Sequence, residues 1–450
     1  MTDTICAIST PFGVGGISII RISGKDACSI ASKFFAIKGK KNLELKPRYM
    51  YLGDFDLGNY NEQCMCVYFK APNSYTGEDI IEFQCHGGVA VTKKILETLL
   101  SGGARLAEAG EFTKRAFLNK KISLDRAEGV IDIINAESES ELKAGYSLMQ
   151  GNLQKEINII QKELTDILAF IDVNFDYPEF DDEGITNTEV KPKVDNILNK
   201  LTNIRNTADT GMAIKNGCRL VILGKPNVGK SSLMNGFLNY DRAIVTNIKG
   251  TTRDVLEETY TYNGVKFVLV DTAGVRESDD TVERIGVEKS KEMIKTADLV
   301  LLLLDGSNKL EAEDREIFEL VKDKKVLVVV NKTDLEKQLE ITEIPFENVV
   351  LISAMLKQGI TELKQKIYNM VIDENIMSSS VIITNSRHIN ALDRAIDSLK
   401  QVIDSLDNNA PLELVTVDIN NVWLALGEIT GETNNEEIIN SIFMNFCVGK

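Results

Sequence analysis

Gly224-Lys225-Pro226-Asn227-Val228-Gly229-Lys230-Ser231 satisfies the spacing G-x-x-x-x-G-K-[ST]. Such a loop wraps phosphate oxygens with backbone N–H groups, which glycine permits because it adopts backbone angles closed to other residues. Lys230 would neutralise the β and γ oxygens and Ser231 would ligate Mg²⁺, with Val228, Gly229 and Ser232 along the same cradle. Asp271-Thr272-Ala273-Gly274 ends a later apolar run. There an aspartate reaches the metal shell and a glycine N–H senses a γ-phosphate, although an ordinary exit from a strand reads the same way. Asn331-Lys332-Thr333-Asp334 ends another run. Asp334 can accept from guanine N1–H and the 2-amino group, whereas adenine would leave the carboxylate unpaired, so GTP is favoured over ATP. Ser353-Ala354 would complete the base pocket through backbone N–H, with Met355 standing where related proteins often carry Lys or Arg.

Residue 275 is Val, at the place where Ras-like GTPases carry the glutamine that orients the attacking water. Another group must therefore position the water. Gly250-Thr251-Thr252-Arg253-Asp254 lies in the expected switch segment, where one threonine hydroxyl would coordinate Mg²⁺ once GTP orders the loop. Arg253 and Arg276 are candidates for an arginine finger in cis, or plain solvated charges.

These boxes need strands to present them. Leu220 to Leu223, Phe267 to Val270, Leu299 to Leu304, Val326 to Val330 and Val349 to Ile352 are apolar throughout, as strands of a parallel sheet buried on both faces require. Residues 216–375 thus read as an α/β domain. Residues 1–118 read as mixed α and β, with runs such as Ile17 to Ile22 and Ile80 to Phe83 between glycine turns. From Leu153 the series Ile157, Ile160, Leu164, Ile167, Ile171 has helical spacing, the acidic stretch Phe175 to Gly184 reads as a loop, and a second helix follows through Val194, Ile197, Leu198, Leu201 and Ile204. Helical spacing returns at Leu392, Ala395, Ile396, Leu399, Val402, Ile403 and Leu406, so the α/β unit sits inside an interrupted helical domain, 119–215 and 376–450.

The chain has 450 residues, enough for several domains and a large core. Its 51 basic against 67 acidic side chains, a net −16, argue against an electrostatically driven nucleic-acid coat but leave local RNA binding open. No segment supplies the ~20 apolar residues of a membrane span, and the N-terminus carries no basic region before an apolar stretch, so a soluble cytoplasmic protein is expected. Seven scattered cysteines fit reduced thiols. Cys64 and Cys66, with Cys85 and His86, suggest zinc, but the two-residue spacing also puts both cysteines on one face of a strand.

At Gly250 to Asp254, Asp271 to Gly274 and the terminal Phe446-Cys447-Val448-Gly449-Lys450, the chain resembles the MnmE (TrmE) family of tRNA modification GTPases. Matching segments run nearly end to end: Pro72 to Asp79, His86-Gly87-Gly88, Gly110 to Asn119 and Leu426 to Gly431. The resemblance implies a multidomain protein, with an α+β N-terminal folate-binding and dimerisation domain, a discontinuous α-helical domain and an inserted α/β Ras-like P-loop G domain. It implies a homodimeric, potassium-dependent GTPase that works with the FAD-dependent partner MnmG as a heterotetramer. Together they would modify the wobble uridine (U34) of certain tRNAs at C5, to (carboxymethyl)aminomethyluridine, with a one-carbon unit from 5,10-methylene-tetrahydrofolate, for which 5-formyl-tetrahydrofolate is an analogue.

In the family pattern Asn227 and Thr251, with carbonyls of Thr246 and Ile248, hold K⁺, while Ser231 and Thr252 hold Mg²⁺. Asn247, Lys249 and Gly250 belong to the same nucleotide-binding segment. Glu283 matches the family's catalytic glutamate, which orients water through a bridging water. Folate binding carries over onto Arg21, Glu82, Lys121 and Lys450, each otherwise a surface charge. Cys447 is a candidate for redox or nucleophilic assistance near the transferred carbon, or else a small packed hydrophobe. His86 and His388 have no role that the residues imply. Two rivals stand beside this: a regulatory switch in ribosome or RNA assembly without covalent modification, and a stand-alone folate enzyme with structural GTP.

Overall fold

A computed structural model of the chain describes residues 3–39, 44–176, 185–238, 257–271, 292–408 and 410–450. Two compact units are formed. The first gathers Met1–Ile131, Leu148–Val194 and Asp397–Lys450, and the second Asp132–Ser147 and Asp195–Ile396.

In the first unit seven strands, β1 (Ile5–Ile8), β2 (Ile17–Ser23), β3 (Phe35–Ile37), β4 (Met50–Asp56), β5 (Asn61–Phe69), β6 (Ile80–His86) and β7 (Arg105–Leu106), form a sheet of order β3-β4-β5-β6-β2-β1-β7. Every pairing is antiparallel except β1 with β7. Helices α1 (Ala27–Phe34) and α2 (Val89–Ser101) bury Ile30, Ala31, Ile95 and Leu99 in one cluster with Ile20, Ile22, Phe55 and Phe83 from the strands. Cys64 and Cys66 belong to that cluster, and both side chains are on the buried face of β5. Burial pushes the Cys64 thiol up to about 12, so it stays protonated as a small packed group. Among the described residues no group of three or more His, Cys, Asp or Glu is arranged for a metal ion.

Helix α3 (Glu111–Leu118) carries two buried charges, Glu111 and Arg115. The Arg115 side chain is 1 % exposed and donates to the Asp3 carbonyl at 2.9 Å, to Glu78 Oε1 at 3.1 Å and to Glu111 Oε1 at 2.9 Å. Burial pushes the Glu111 carboxyl up, and hydrogen bonds from Arg105, the Glu108 amide and Arg115 outweigh it, leaving its pKa below the usual Glu range. Breaking one side of such a set leaves charge buried without its partner. Arg115→Met should therefore cost about 3–5 kcal/mol, visible as a lower urea midpoint at unchanged slope.

Helix α4 (Leu124–Asn135), which buries Leu124 and Ala127 against Phe443 and Phe446, is followed by α5 (Glu139–Met149) and α6 (Asn152–Asp176). The predicted seam of α6, Leu153 through Ile171, is buried at every step. Phe175 and Asp176, expected in a loop, instead close this helix. A proline at position 178 disfavours helical backbone at position 177, which still allows the ladder to run on to Asp176. Residues 177–184 lie outside the described residues. Helix α7 (Ile185–Arg205) buries Val190, Val194, Ile197 and Leu201, and α8 (Ala208–Asn216) leads into the second unit's sheet.

That sheet contains β8 (Cys218–Leu223), β9 (Glu257–Tyr262), β10 (Val265–Asp271), β11 (Leu299–Asp305), β12 (Val326–Asn331) and β13 (Val349–Leu351), ordered β13-β12-β11-β8-β10-β9. Five expected strands are present and run parallel. The sixth, β9, is antiparallel to β10 and was not expected. Its sequence, Glu-Glu-Thr-Tyr-Thr-Tyr, alternates as an edge strand does, and Asn263-Gly264 makes the tight turn with both residues at positive φ. The turn meets the start of α5. The Ser140 amide donates to the Gly264 carbonyl at 3.2 Å, and Lys266 Nζ pairs with Glu137 at 2.5 Å.

Helices α9 (Lys230–Leu238), α10 (Ala312–Val321), α11 (Ile360–Val371) and α12 (Glu374–Met377) complete the α/β arrangement. Helix α13 (Ser386–Asp407) buries Leu392, Ala395, Ile396, Leu399, Val402 and Leu406, while Ile403 of the same series is half-buried. In the first unit α14 (Leu412–Thr430) packs along α6, with Gln161 Nε2 donating to the Trp423 carbonyl at 3.2 Å, and α15 (Glu436–Phe443) precedes the terminal segment. Among the described residues no helix is long and apolar enough to cross a membrane.

Candidate nucleotide-binding site and docked terminal segment

The phosphate loop leaves β8 and enters α9. Three residues in it have positive φ, Gly224 at 149°, Asn227 at 65° and Gly229 at 101°. A Cβ on Gly229 would sit 2.2 Å from Asn331 Nδ2, so glycine is what lets the loop close on the second box. Asn331 is buried, donates from Nδ2 to the Val228 carbonyl at 2.8 Å and accepts from the Ala354 amide at 2.9 Å. One side chain thereby ties phosphate loop, strand β12 and the segment after β13 into a single frame. Lys230 Nζ donates to the Gly224 carbonyl at 2.6 Å and the Lys225 carbonyl at 3.0 Å, which holds its ammonium inside the loop. Ser231 and Ser232 begin α9 beside it.

At the base end Ser353 Oγ donates to Asp334 Oδ1 at 2.5 Å, and the Thr333 amide donates to the Ile352 carbonyl at 3.2 Å. The Asp334 carboxylate is thus held in one orientation. Lys332, at φ 65°, pairs through Nζ with Asp305 Oδ2 at 2.7 Å. Burial pushes the Asp305 carboxyl up, and hydrogen bonds from Lys332 and Ser307 overcome it, so its pKa lies below the usual Asp range. Met355, by contrast, is exposed. A cleft of about 300 Å³ runs beside the loop, lined by Lys225, Asn227, Asp305, Glu311, Asp314 and Lys332 among others.

Asp271 is the last residue of β10. Thr246, Asn247, Ile248, Lys249, Gly250, Thr251, Thr252, Thr272, Ala273, Gly274 and Glu283 lie outside the described residues, as do Arg253 and Arg276.

A second constellation belongs to the first unit. The terminal segment docks on the start of α3: the Gly110 amide donates to the Cys447 carbonyl at 3.3 Å, the Phe112 amide donates to the Lys450 oxygen at 3.2 Å, and Ala109 bridges Val448. Gly449, at φ 96°, is pressed so close to Ile8 that a Cβ would lie 2.1 Å from its carbonyl oxygen. This seats Lys450 close to Arg21, with Cys447, which is exposed, close to Lys450. Burial and repulsion by Arg21 hold the Lys450 pKa below its usual value, with Cys447 acting the other way. Arg21 Nε pairs with Glu82 Oε1 at 2.7 Å, and its guanidinium stands 5.7 Å from the Tyr75 ring centroid and 5.5 Å from that of Phe112. Arg21, Glu82, Lys450 and Cys447 are therefore brought together. Lys121 is engaged separately, donating to the Pro72 carbonyl at 3.0 Å. The aromatic walls Tyr75 and Phe112 were not singled out from the sequence, although both lie in its family-like segments. His86 bonds Glu62 at 2.6 Å through Nδ1, and His388 is buried beside Arg387, so neither enters these two sites.

Comparison with known proteins gives two family models. "GTP-binding protein TrmE N-terminus" matches residues 4–121 and "MnmE helical domain" matches 124–447. The protein called tRNA modification GTPase MnmE from Clostridioides difficile (strain 630) is 46% identical over 455 aligned positions, covering 100% of this chain and 99% of that one. Its counterpart from Alkaliphilus metalliredigens (strain QYMF) is 43% identical with 100% of both chains covered. Among solved structures, a point variant of Aquifex aeolicus Era bound to GDP.AlF4- is 25% identical over 40% of this chain and 66% of that one, with a TM-score of 0.28.

Proposed function

The chain belongs to the MnmE family of tRNA modification GTPases, is a GTP hydrolase acting in tRNA modification, and we propose that it does so as a potassium-dependent homodimer working with an FAD-dependent MnmG partner. In this proposal the pair modifies U34 of certain tRNAs at C5, drawing one carbon from 5,10-methylene-tetrahydrofolate. The observation that carries it is the coexistence in one chain of a braced guanine-nucleotide cradle and a docked terminal segment presenting Cys447 and Lys450 beside Arg21 and Glu82.

The residues fit these groups chemically. Arg21 and Lys450 suit the carboxylates of a glutamyl tail, Glu82 suits the donors of a pterin amide, and Tyr75 with Phe112 offers aromatic faces to a flat ring. Ser231 and Thr252 would hold Mg²⁺, while Asn227, Thr251 and the carbonyls of Thr246 and Ile248 would hold K⁺. A monovalent cation there would supply the positive charge that an arginine finger supplies elsewhere. Glu283 would orient the attacking water through a bridging water. A cytoplasmic location goes with this chemistry.

GTP turnover should be at least about tenfold faster in KCl than in NaCl of equal ionic strength, because the smaller sodium ion cannot hold the same oxygen ligands at once. Equal rates in the two salts would remove the potassium role. The whole reading is tested by reconstitution with MnmG, tRNA, methylene-tetrahydrofolate and GTP in K⁺ buffer. Nucleoside mass spectrometry showing unmodified U34 would instead favour a regulatory switch without covalent chemistry.

A further inference from the structure

The phosphate-loop motif says nothing about its second residue, yet here that side chain is held between two carboxylates. Lys225 is mostly buried, and its Nζ lies 2.7 Å from Asp314 Oδ2 and 2.8 Å from Glu311 Oε2. Those two carboxylates have another duty. Glu311 is the N-cap of α10 and Asp314 its third residue, and together they form a reciprocal capping box, with the Glu311 amide donating to Asp314 Oδ2 at 2.9 Å. The helix start is therefore rigid, and Asp314 is buried, so Lys225 is held at a fixed point. Burial alone would lower the Lys225 pKa, but its bonds to Asp314 and Glu311 prevail and raise it, so the ammonium is charged throughout the physiological range.

The backbone of the same residue faces the other way. The Lys225 carbonyl, with that of Gly224, accepts from Lys230 Nζ. A continuous path runs from the α10 capping box through the Lys225 side chain to its carbonyl and on to the lysine that meets the phosphates.

We propose that Lys225 is a positioning residue for GTP hydrolysis, its side chain clamped by Glu311 and Asp314 so that its carbonyl aims Lys230 at the β and γ phosphates. Its charge is already matched by two carboxylates, so it acts through Lys230 and not by touching the nucleotide. The inference rests on the hydrolase activity alone and is independent of folate, potassium or any partner. An arginine, whose fork can bind both carboxylates, keeps the clamp, whereas a methionine of similar length releases it.

The experiment compares Lys225→Met, Lys225→Arg and the wild type in the full chain. Calorimetric Kd values for GDP and for guanosine, which has no phosphate, are set beside GTP KM and kcat. Lys225→Met should weaken GDP binding and raise GTP KM by about tenfold, leave guanosine binding unchanged, and be restored to within about twofold by Lys225→Arg, because only phosphate contacts depend on the aim of Lys230. A merely structural role would weaken guanosine and GDP alike, or reduce the active fraction at constant KM, and either result overturns the proposal. Wild-type GDP affinity in the Met variant, or no restoration by Arg, overturns it equally. If Lys225→Met does not fold, Asp314→Asn, which keeps a cap acceptor but loses the charge, decides by the same GDP-selective loss.

Discussion

Asp334→Asn should lower GTP affinity by about 10³-fold, roughly 4 kcal/mol, and at the same time create affinity for xanthosine triphosphate. The reasoning starts from Ser353, whose Oγ donates to Asp334 Oδ1 at 2.5 Å. In the variant this bond fixes the amide orientation: the oxygen stays with Ser353 and the NH₂ is turned toward the base. Guanine presents N1–H and a 2-amino group at that edge, so donors would confront donors. Xanthine carries a carbonyl at position 2 and accepts. Selectivity against ATP is lost as well, but Asn331 still holds the Val228 carbonyl and the Ala354 amide, so the frame of the site persists. Competition of labelled GTP with each triphosphate measures the change. Undiminished GTP affinity would mean that Asp334 does not read the base.

The second large effect concerns the other unit. Gly449→Ala should abolish most tRNA modification, by about 10²-fold or more, while GTP turnover stays within about twofold of wild type, because displacing reacting groups by about 1 Å is enough for such a loss. The added Cβ would stand 2.1 Å from the Ile8 carbonyl oxygen, at a φ of 96° that alanine resists. The terminal segment must then lift from its hydrogen bonds to Gly110 and Phe112, carrying Cys447 and Lys450 away from Arg21. The cradle around Lys230 is built from other residues and is untouched. Modification assayed with the proposed MnmG partner, and hydrolysis assayed without it, separate the two outcomes. Equal modification by variant and wild type would detach the terminal segment from the chemistry.

What could be read from the chain, and what could not, follows from the range of each signal. Strands buried on both faces announce themselves as apolar runs, and β8, β10, β11 and β12 fall where those runs are; β13 also lies in such a run, but it is an edge strand with Leu351 exposed. The phosphate loop and Asn331-Lys332-Thr333-Asp334 are legible because each packs its chemistry into a few consecutive residues. β9 was missed because its half-polar alternation is quiet, though Asn263-Gly264 beside it was a usable turn signal. Lys225 left no trace, since its partners are 86 and more positions away and nothing local marks them. The same holds for Tyr75 and Phe112 around Arg21: the aromatic residues are visible, but which charge they flank is decided by the sheet.

The turn between β9 and β10 has one more consequence. Helix α5 is capped locally by Ser138 and Glu141, but the Ser140 amide in its first turn takes an acceptor that the helix does not own, the Gly264 carbonyl of the hairpin tip. The solvent-exchange lifetime of the Ser140 amide proton therefore reports whether that hairpin tip is seated on the helix, readable with every side chain left as it is.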